Sequence, residues 1–276
     1  MLMMDAGVLA YKLQQDVLTD VKDFSFPLSL SIILVGNDPM SELYVSKKEA
    51  LCKKLGIETK EYRYPVDVRE NVIVHKILEL NRDVSVTGIL VQLPLPVGLD
   101  TKKVLSTIHP LKDVDGLHPI NFGYLCAGNE RLVPCTPKGV VALIEHFNID
   151  LKGKNVVVIG RSSLVGRPLA MMLTNRDATV TLCHTKTKNI KEILMVSDII
   201  VSAAGSPYLV DCCKKGAVVI NVGMSKVDGK VIGDIHLKQL EDAEWVTPIS
   251  GCIGLLTITM LLVNVVECAK LQSGLV

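Results

Sequence analysis

At 276 residues, 49% hydrophobic and 21% charged, the chain can bury a large core in one or two domains and is ordinary for a soluble globular protein. Lys and Arg total 30 against 29 Asp and Glu, so the net charge of +1 argues against a large nucleic-acid surface but not against a local anion site. The opening stretch carries Asp5 and has neither a basic n-region nor a cleavage pattern, so no signal peptide is expected. The longest uncharged apolar stretch near the end, Leu255–Val266, is too short to span a bilayer and reads as a buried helix. The 8 cysteines, including the adjacent Cys212 and Cys213, show no zinc spacing and read as free thiols of a cytoplasmic protein.

In chain order, Ser29–Val35 is a continuous apolar strand. Ser41–Leu55 is predicted as an amphipathic helix with Leu43, Leu51 and Leu55 on its apolar side, ended by Gly56. A helix near Val72–Leu80, a strand over Val86–Leu93 and a short helix near Lys102–Thr107 follow. Apolar strands separated by helices imply a parallel sheet covered on both faces. A second α/β run begins near Thr136, read as an N-cap with Pro137 as the first helical residue. Next come a strand at Asn155–Ile159, a helix from about Val165, a strand at Thr179–Cys183, and strands near Asp198–Ser202 and Ala217–Asn221. The last helix is predicted over Leu255–Lys270, after a loop containing Thr247–Gly254. The expected fold class is therefore α/β, with two α/β domains and a cleft between them, the second a Rossmann-type dinucleotide-binding domain.

The strand Asn155–Ile159 runs into Gly160, then Arg161, Ser162, Ser163, Leu164, Val165 and Gly166. A backbone without Cβ lets a pyrophosphate approach a helix N-terminus, where free N–H groups and the dipole favour anions. The spacing is Gly-x5-Gly rather than Gly-x-Gly-x-x-Gly, so the fingerprint is only partly met, and a purely structural turn is the other reading. NAD sites usually place an acid at the end of the second strand to hold the ribose. Here that strand ends in Cys183-His184-Thr185-Lys186-Thr187, with no acid. Arg161 and Lys186, with the hydroxyls of Ser162 and Thr185, suit a 2′-phosphate, which favours NADP. A solvated loop is the alternative for His184 and Lys186.

Tyr44 and Lys48 stand four apart on a predicted helix and share a face. Spacing alone favours a surface lysine beside a half-buried tyrosine, and Lys48 gains interest as an acid or base only if it points into a cleft. Gln92 sits at the C-terminal end of an apolar strand, where ligands bind in open α/β sheets. In the segment Lys112–Pro119, Asp113 and Asp115 could bind metal, cap a helix or hold a ligand. Two acids are few for a hard cation, whereas an aspartate can accept two N–H bonds from an amino-pyrimidine, as in a pterin. His118 reads as a packing residue of that loop.

Together these segments resemble the bifunctional methylenetetrahydrofolate dehydrogenase/cyclohydrolase family. The matching pieces are Tyr44-x-x-x-Lys48, Gly88–Pro96, Lys112–Gly116, Pro134–Gly139, Gly160–Gly166, Cys183–Thr187 and Thr247-Pro248, in the family's order and across nearly the whole chain. The resemblance implies a folate-binding catalytic domain over residues 1–136, completed by a C-terminal helix at 255–276, and an NADP domain at 137–254. It implies a homodimer that oxidises 5,10-methylenetetrahydrofolate to the methenyl form and hydrolyses that to 10-formyltetrahydrofolate. By similarity Lys48 is the main catalytic residue, positioned by Tyr44 and tuned by Gln92. Substrate contacts would fall on Tyr44, Lys48, Val91, Gln92, Leu93 and Asp115, and on Ser250, Gly251, Cys252, Ile253 and Gly254. NADP contacts would fall on Gly160, Arg161, Ser162, Thr185 and Met224. No metal, membrane or nucleic acid is implied.

One departure stands out. Where the family usually reads Pro-Gly-Gly-Val-Gly-Pro-Met-Thr before its last helix, this chain has Ser250-Gly251-Cys252-Ile253-Gly254-Leu255-Leu256-Thr257. Ser250 loses a fixed φ, Cys252 adds a side chain, and Leu255 removes a proline. Two competing readings follow: another two-domain NADP dehydrogenase acting on a small keto acid or alcohol, and a folate- or nucleotide-binding protein with weakened activity.

Overall fold

The computed structural model describes residues 1–275. The elements up to residue 133 are β1 (Leu2–Met3), α1 (Gly7–Asp23), β2 (Ser29–Val35), α2 (Pro39–Lys54), β3 (Glu58–Tyr64), α3 (Glu70–Arg82), β4 (Gly88–Val91), α4 (Thr101–Thr107) and α5 (Pro119–Cys126). They continue with α6 (Cys135–His146), β5 (Asn155–Ile159), α7 (Gly166–Thr174), β6 (Thr179–Cys183), α8 (Ile190–Val196), β7 (Ile199–Ser202) and β8 (Val218–Asn221). The chain ends with β9 (Met224–Val227), β10 (Lys230–Gly233), β11 (Trp245–Val246) and α9 (Cys252–Gln272). Two compact units result: Tyr11–Val133 with the chain from Ile258 onward, and Pro134–Thr257 with Met1–Ala10. The first ten residues thus group with the second unit, because β1 pairs with β11 there.

The first unit holds a parallel sheet in the order β3-β2-β4. Its central strand, SLSIILV, buries every residue but the first, as a strand covered on both faces must. The edge strand β3, ETKEYRY, pairs along its whole length from Ser29↔Glu58 to Val35↔Tyr64. Its charges suit an edge, where one side meets water, and they hide it from any search for apolar runs. Helix α1 escapes the same search because buried Gln14 interrupts its apolar line. The Gln14 amide instead donates to Thr259 Oγ1 at 3.3 Å and its oxygen accepts from Lys54 Nζ at 3.3 Å. Helix α2 starts two residues before the predicted Ser41. Asp38 caps it, accepting from the Ser41 N–H at 2.8 Å, and Pro39 fills the first turn.

Helix α9 starts at Cys252, three residues before the predicted Leu255, and at 21 residues with a mean hydropathy of 2.0 it is long and apolar enough to cross a membrane. Yet 67% of that stretch is buried in the protein's own interior, as in the core helix of a globular fold. In the first unit it carries Asn264, fully buried, whose amide donates to the carbonyls of Val114 at 2.8 Å and Val133 at 2.9 Å. Asn264→Leu keeps the volume but removes the amide that donates to both carbonyls. It is expected to destabilise the protein by about 3 kcal/mol, read as a lower urea midpoint at unchanged slope. An unchanged midpoint would contradict this.

The second unit holds a six-stranded parallel sheet ordered β1-β11-β8-β7-β5-β6, with the antiparallel hairpin β9-β10 beside it. After β6 the chain crosses back over β5 to form β7, so the order reverses at β5. That reversal is the switch point at which open α/β sheets bind ligands. Helix α6 begins at Cys135 with Pro134 in the cap position, so Thr136 is not the predicted N-cap. Its hydroxyl instead meets that of Thr257 at 3.0 Å. All eight cysteines are free, and only Cys126 is exposed.

Candidate active site

In the first unit, α2 lies one strand-to-helix step after β2, and β4 pairs beside β2. This brings Lys48 to Gln92, 44 positions away in sequence: Lys48 Nζ donates to Gln92 Oε1 at 3.0 Å. Gln92 is only 8% exposed. Its backbone N–H continues the ladder to Ile33 O at 2.9 Å, and its side-chain amide donates to Leu93 O at 2.7 Å. The carboxamide is therefore held at both ends, and its oxygen is aimed at the amine. Tyr44 stands one helical turn before Lys48 and, like it, is half-buried. Lys48 is thus a half-buried lysine bonded to Gln92, beside a half-buried Tyr44. Val91 packs in the core with Ile33, Val35 and Ile89, so its side chain is core and Gln92 is the polar group at the strand end. A cis peptide joins Leu93 to Pro94.

The two aspartates of the Lys112–Pro119 segment differ. Asp113 is 1% exposed and accepts through Oδ2 from the His118 N–H at 2.8 Å and from the Asn121 amide at 2.9 Å. Burial pushes its carboxyl above the usual carboxylate range. It is the hub that closes the loop. Asp115, two residues on, is only partly buried. Lys112 is buried, capping the end of α3 through the carbonyls of Leu80 at 2.9 Å and Asp83 at 2.6 Å, and burial lowers its pKa. His118 is a structural residue, as expected. Its Nδ1 accepts from the Ile120 N–H at 3.1 Å to cap α5, and Nε2 meets Ser106 O at 3.1 Å.

In the second unit, Gly160 leaves β5 at φ +115°, and Gly166 opens α7. A Cβ on Gly160 would lie 2.4 Å from Ala203 O, and one on Gly166 would lie 1.7 Å from Gly160 O. The turn is closed on itself so tightly that no side chain fits at either glycine. Ser162 serves the turn from inside: its hydroxyl accepts from the Val165 N–H at 3.1 Å, and its carbonyl from the Arg167 N–H at 3.1 Å. Ile159 pairs with Cys183, so the segments carrying Arg161 and Thr185 leave neighbouring strands side by side. Thr185 and Lys186 are exposed in a turn where the Thr187 hydroxyl accepts from the His184 N–H at 2.9 Å. Met224 opens β9 and is exposed.

The segment before α9 differs from its sequence reading. Ser250 and Gly251 are exposed, with Gly251 at φ +90°, but Cys252, Ile253 and Gly254 already belong to the helix. The Cys252 thiol turns inward, donating to Met4 O at 3.5 Å, and burial pushes it up to about 11. The side chain that Cys252 adds is therefore buried in the protein. Sequence reading also missed Asp234, Ser202 and Asn221, all buried at the strand ends. The only available signal was an acid and an amide in otherwise apolar surroundings.

Comparison with known proteins decides the family. The tetrahydrofolate dehydrogenase/cyclohydrolase catalytic domain matches residues 4–115, and the NAD(P)-binding domain of the same family matches residues 134–273. This chain belongs to the tetrahydrofolate dehydrogenase/cyclohydrolase family. The bifunctional protein FolD of Aquifex aeolicus is 43% identical, aligned over 98% of this chain and 95% of its own. The solved bifunctional FolD enzyme of Campylobacter jejuni superposes with a TM-score of 0.95 at 40% identity, covering 98% of this chain and 99% of that one. The Trypanosoma brucei enzyme of the family, solved with NADP and an inhibitor, superposes with a TM-score of 0.92 at 34% identity over 99% and 98% of the two chains. The family's two-domain NAD(P)-binding architecture thus accounts for both α/β units, and the glycine-lined turn falls within its NAD(P)-binding half.

Proposed function

We propose that the chain oxidises 5,10-methylenetetrahydrofolate to 5,10-methenyltetrahydrofolate with NADP, then adds water to give 10-formyltetrahydrofolate, with Lys48 as the acid–base group of the second step. The carrying observation is the Lys48–Gln92 hydrogen bond inside the half that matches the family's catalytic domain. The cofactor is NADP, which when bound supplies a hydride acceptor. Gly160, Ser162 and the N-terminus of α7 would hold its diphosphate. Arg161 and Thr185 would hold its 2′-phosphate where no acid repels it, and Met224 would border the site.

Loss of hydride from the one-carbon unit leaves a delocalised cation on the folate. Water adds to its methenyl carbon, one C–N bond of the five-membered ring opens, and one proton is released. The amine of Lys48 takes that proton, directly or through a water molecule. Gln92 fixes where the nitrogen sits, and Tyr44 packs one turn away. Asp115 would accept N–H bonds from the pterin. Leu93 and the backbone of Val91 would border the folate, as would Ser250, Gly251 and the start of α9 with Cys252, Ile253 and Gly254. The same reading makes the working form a cytoplasmic homodimer, which rests on the family resemblance; a net charge of +1 calls for no nucleic-acid partner.

A dehydrogenase for a small keto acid would leave the Lys48–Gln92 pair and Asp115 without a task. A binding protein with weakened activity draws its support from the Ser250–Leu256 segment alone. The test is direct. Purified protein given methylenetetrahydrofolate and NADP is expected to form NADPH and then 10-formyltetrahydrofolate, with NAD used less well. Absence of turnover with both cofactors, despite folate binding measured by calorimetry, would favour the binding protein.

A further inference from the structure

Asp234 follows β10 and is fully buried. Its Oδ2 accepts from Ser202 Oγ at 2.8 Å, the Ala204 N–H at 2.8 Å and the Gly205 N–H at 3.2 Å; its Oδ1 accepts from the Ser206 N–H at 2.7 Å. Three successive backbone N–H groups pointing at one carboxyl form a concave nest, an arrangement that otherwise captures anions from solution. Here the chain fills it with its own side chain. The loop so held follows β7 at the switch point. Ala203 N–H donates to Ile159 O at 2.7 Å, and Ala203 O is the atom that leaves no room for a Cβ on Gly160.

The same carboxyl touches the loop after β8. A Cβ on Gly223 would lie 2.1 Å from Asp234 Oδ2, and Ser225 Oγ donates to Gly205 O at 2.7 Å. One buried group therefore ties together the loops after β5, β7 and β8, including the approach to Met224.

We infer that Asp234 is a positioning residue of the NADP site. It fixes the 203–206 and 222–224 loops, and it occupies the amides of 204–206 so that the diphosphate is directed to the Gly160–Gly166 turn. The inference rests on the dehydrogenase reading above. Asp234 belongs to the unit that does not hold Lys48 and Gln92, so its removal should separate the two activities.

Asp234→Asn keeps shape and burial but must turn an NH2 group toward N–H donors. The KM for NADP is expected to rise about tenfold or more, with kcat within about threefold, because the loops those hydrogen bonds hold are no longer fixed in the binding arrangement. Hydrolysis of methenyltetrahydrofolate, assayed without NADP, should be unchanged. Ser202→Ala, which removes one side-chain donor only, should raise the same KM by about threefold and keeps the test open if the asparagine variant does not fold. A folded Asp234→Asn enzyme with wild-type KM for NADP overturns the assignment. So does a parallel loss of both activities, which would mark the residue as general scaffolding. Wild-type protein that turns over no NADP overturns the dehydrogenase reading itself, and this inference with it.

Discussion

Gly166→Ala is expected to abolish useful NADP binding while leaving the hydrolytic step in place. The added methyl would sit 1.7 Å from Gly160 O and 2.6 Å from Gly160 C, both backbone atoms at the switch-point turn. A flexible side chain could swing aside, but these are main-chain atoms of a glycine whose own N–H is bonded to Cys183 O at 2.9 Å, so only a shift of the turn itself relieves the clash. The turn must open. Forcing a methyl into a packed backbone costs about 3 kcal/mol, roughly a hundredfold in NADP affinity if the strain is relieved by reshaping the diphosphate cradle. Part of that cost also appears as lost stability, which a domain with a margin of about 5–15 kcal/mol survives. Fluorescence titration with NADPH reads the binding loss, and thermal melting reads the fold. NADPH binding at wild-type affinity would show that the turn does not cradle the diphosphate.

Lys48→Met is expected to act in the opposite sense. Methionine keeps the unbranched stem and a good helix propensity on α2, so the half-buried position stays filled. What disappears is the amine that donates to Gln92 Oε1, the group proposed above to take the proton released when water adds. Positioned acid–base groups contribute about 10²–10⁴ in rate, and hydrolysis of methenyltetrahydrofolate should fall by that factor. The oxidation step depends mainly on positioning and should fall far less, so methenyltetrahydrofolate should accumulate. Gln92 tests the same pair from its other side, since it is held by its own backbone ladder and by Leu93 O.

Periodicity and apolar runs revealed the parts of this fold that bury both faces of a strand or one face of a helix. β2, β5, β6 and β7 were legible for that reason, as was α2 up to its first turn. What stayed hidden depends on partners far along the chain. β3 is charged because it is an edge. α1 carries Gln14 because Thr259 and Lys54 are there to meet it. Thr136 looked like a cap, but its hydroxyl is turned to Thr257, which lies 121 residues on. The site divides in the same way. The glycines at 160 and 166 declare a local turn, so their role could be read locally. Lys48 and Gln92 are ordinary residues until β2 pairs with β4. Asp234 stood out only as an acid in apolar surroundings, because its meaning lies in the four donors that surround it.

On this reading one chain holds two chemically separable activities, one served by the glycine-lined turn and one by the Lys48 amine. Both rates, measured side by side on Lys48→Met and Gly166→Ala, decide it. A crossed pattern is expected: hydrolysis lost and oxidation largely kept in the first, oxidation lost and hydrolysis kept in the second. Two folded variants that each lose both activities in equal measure would contradict it.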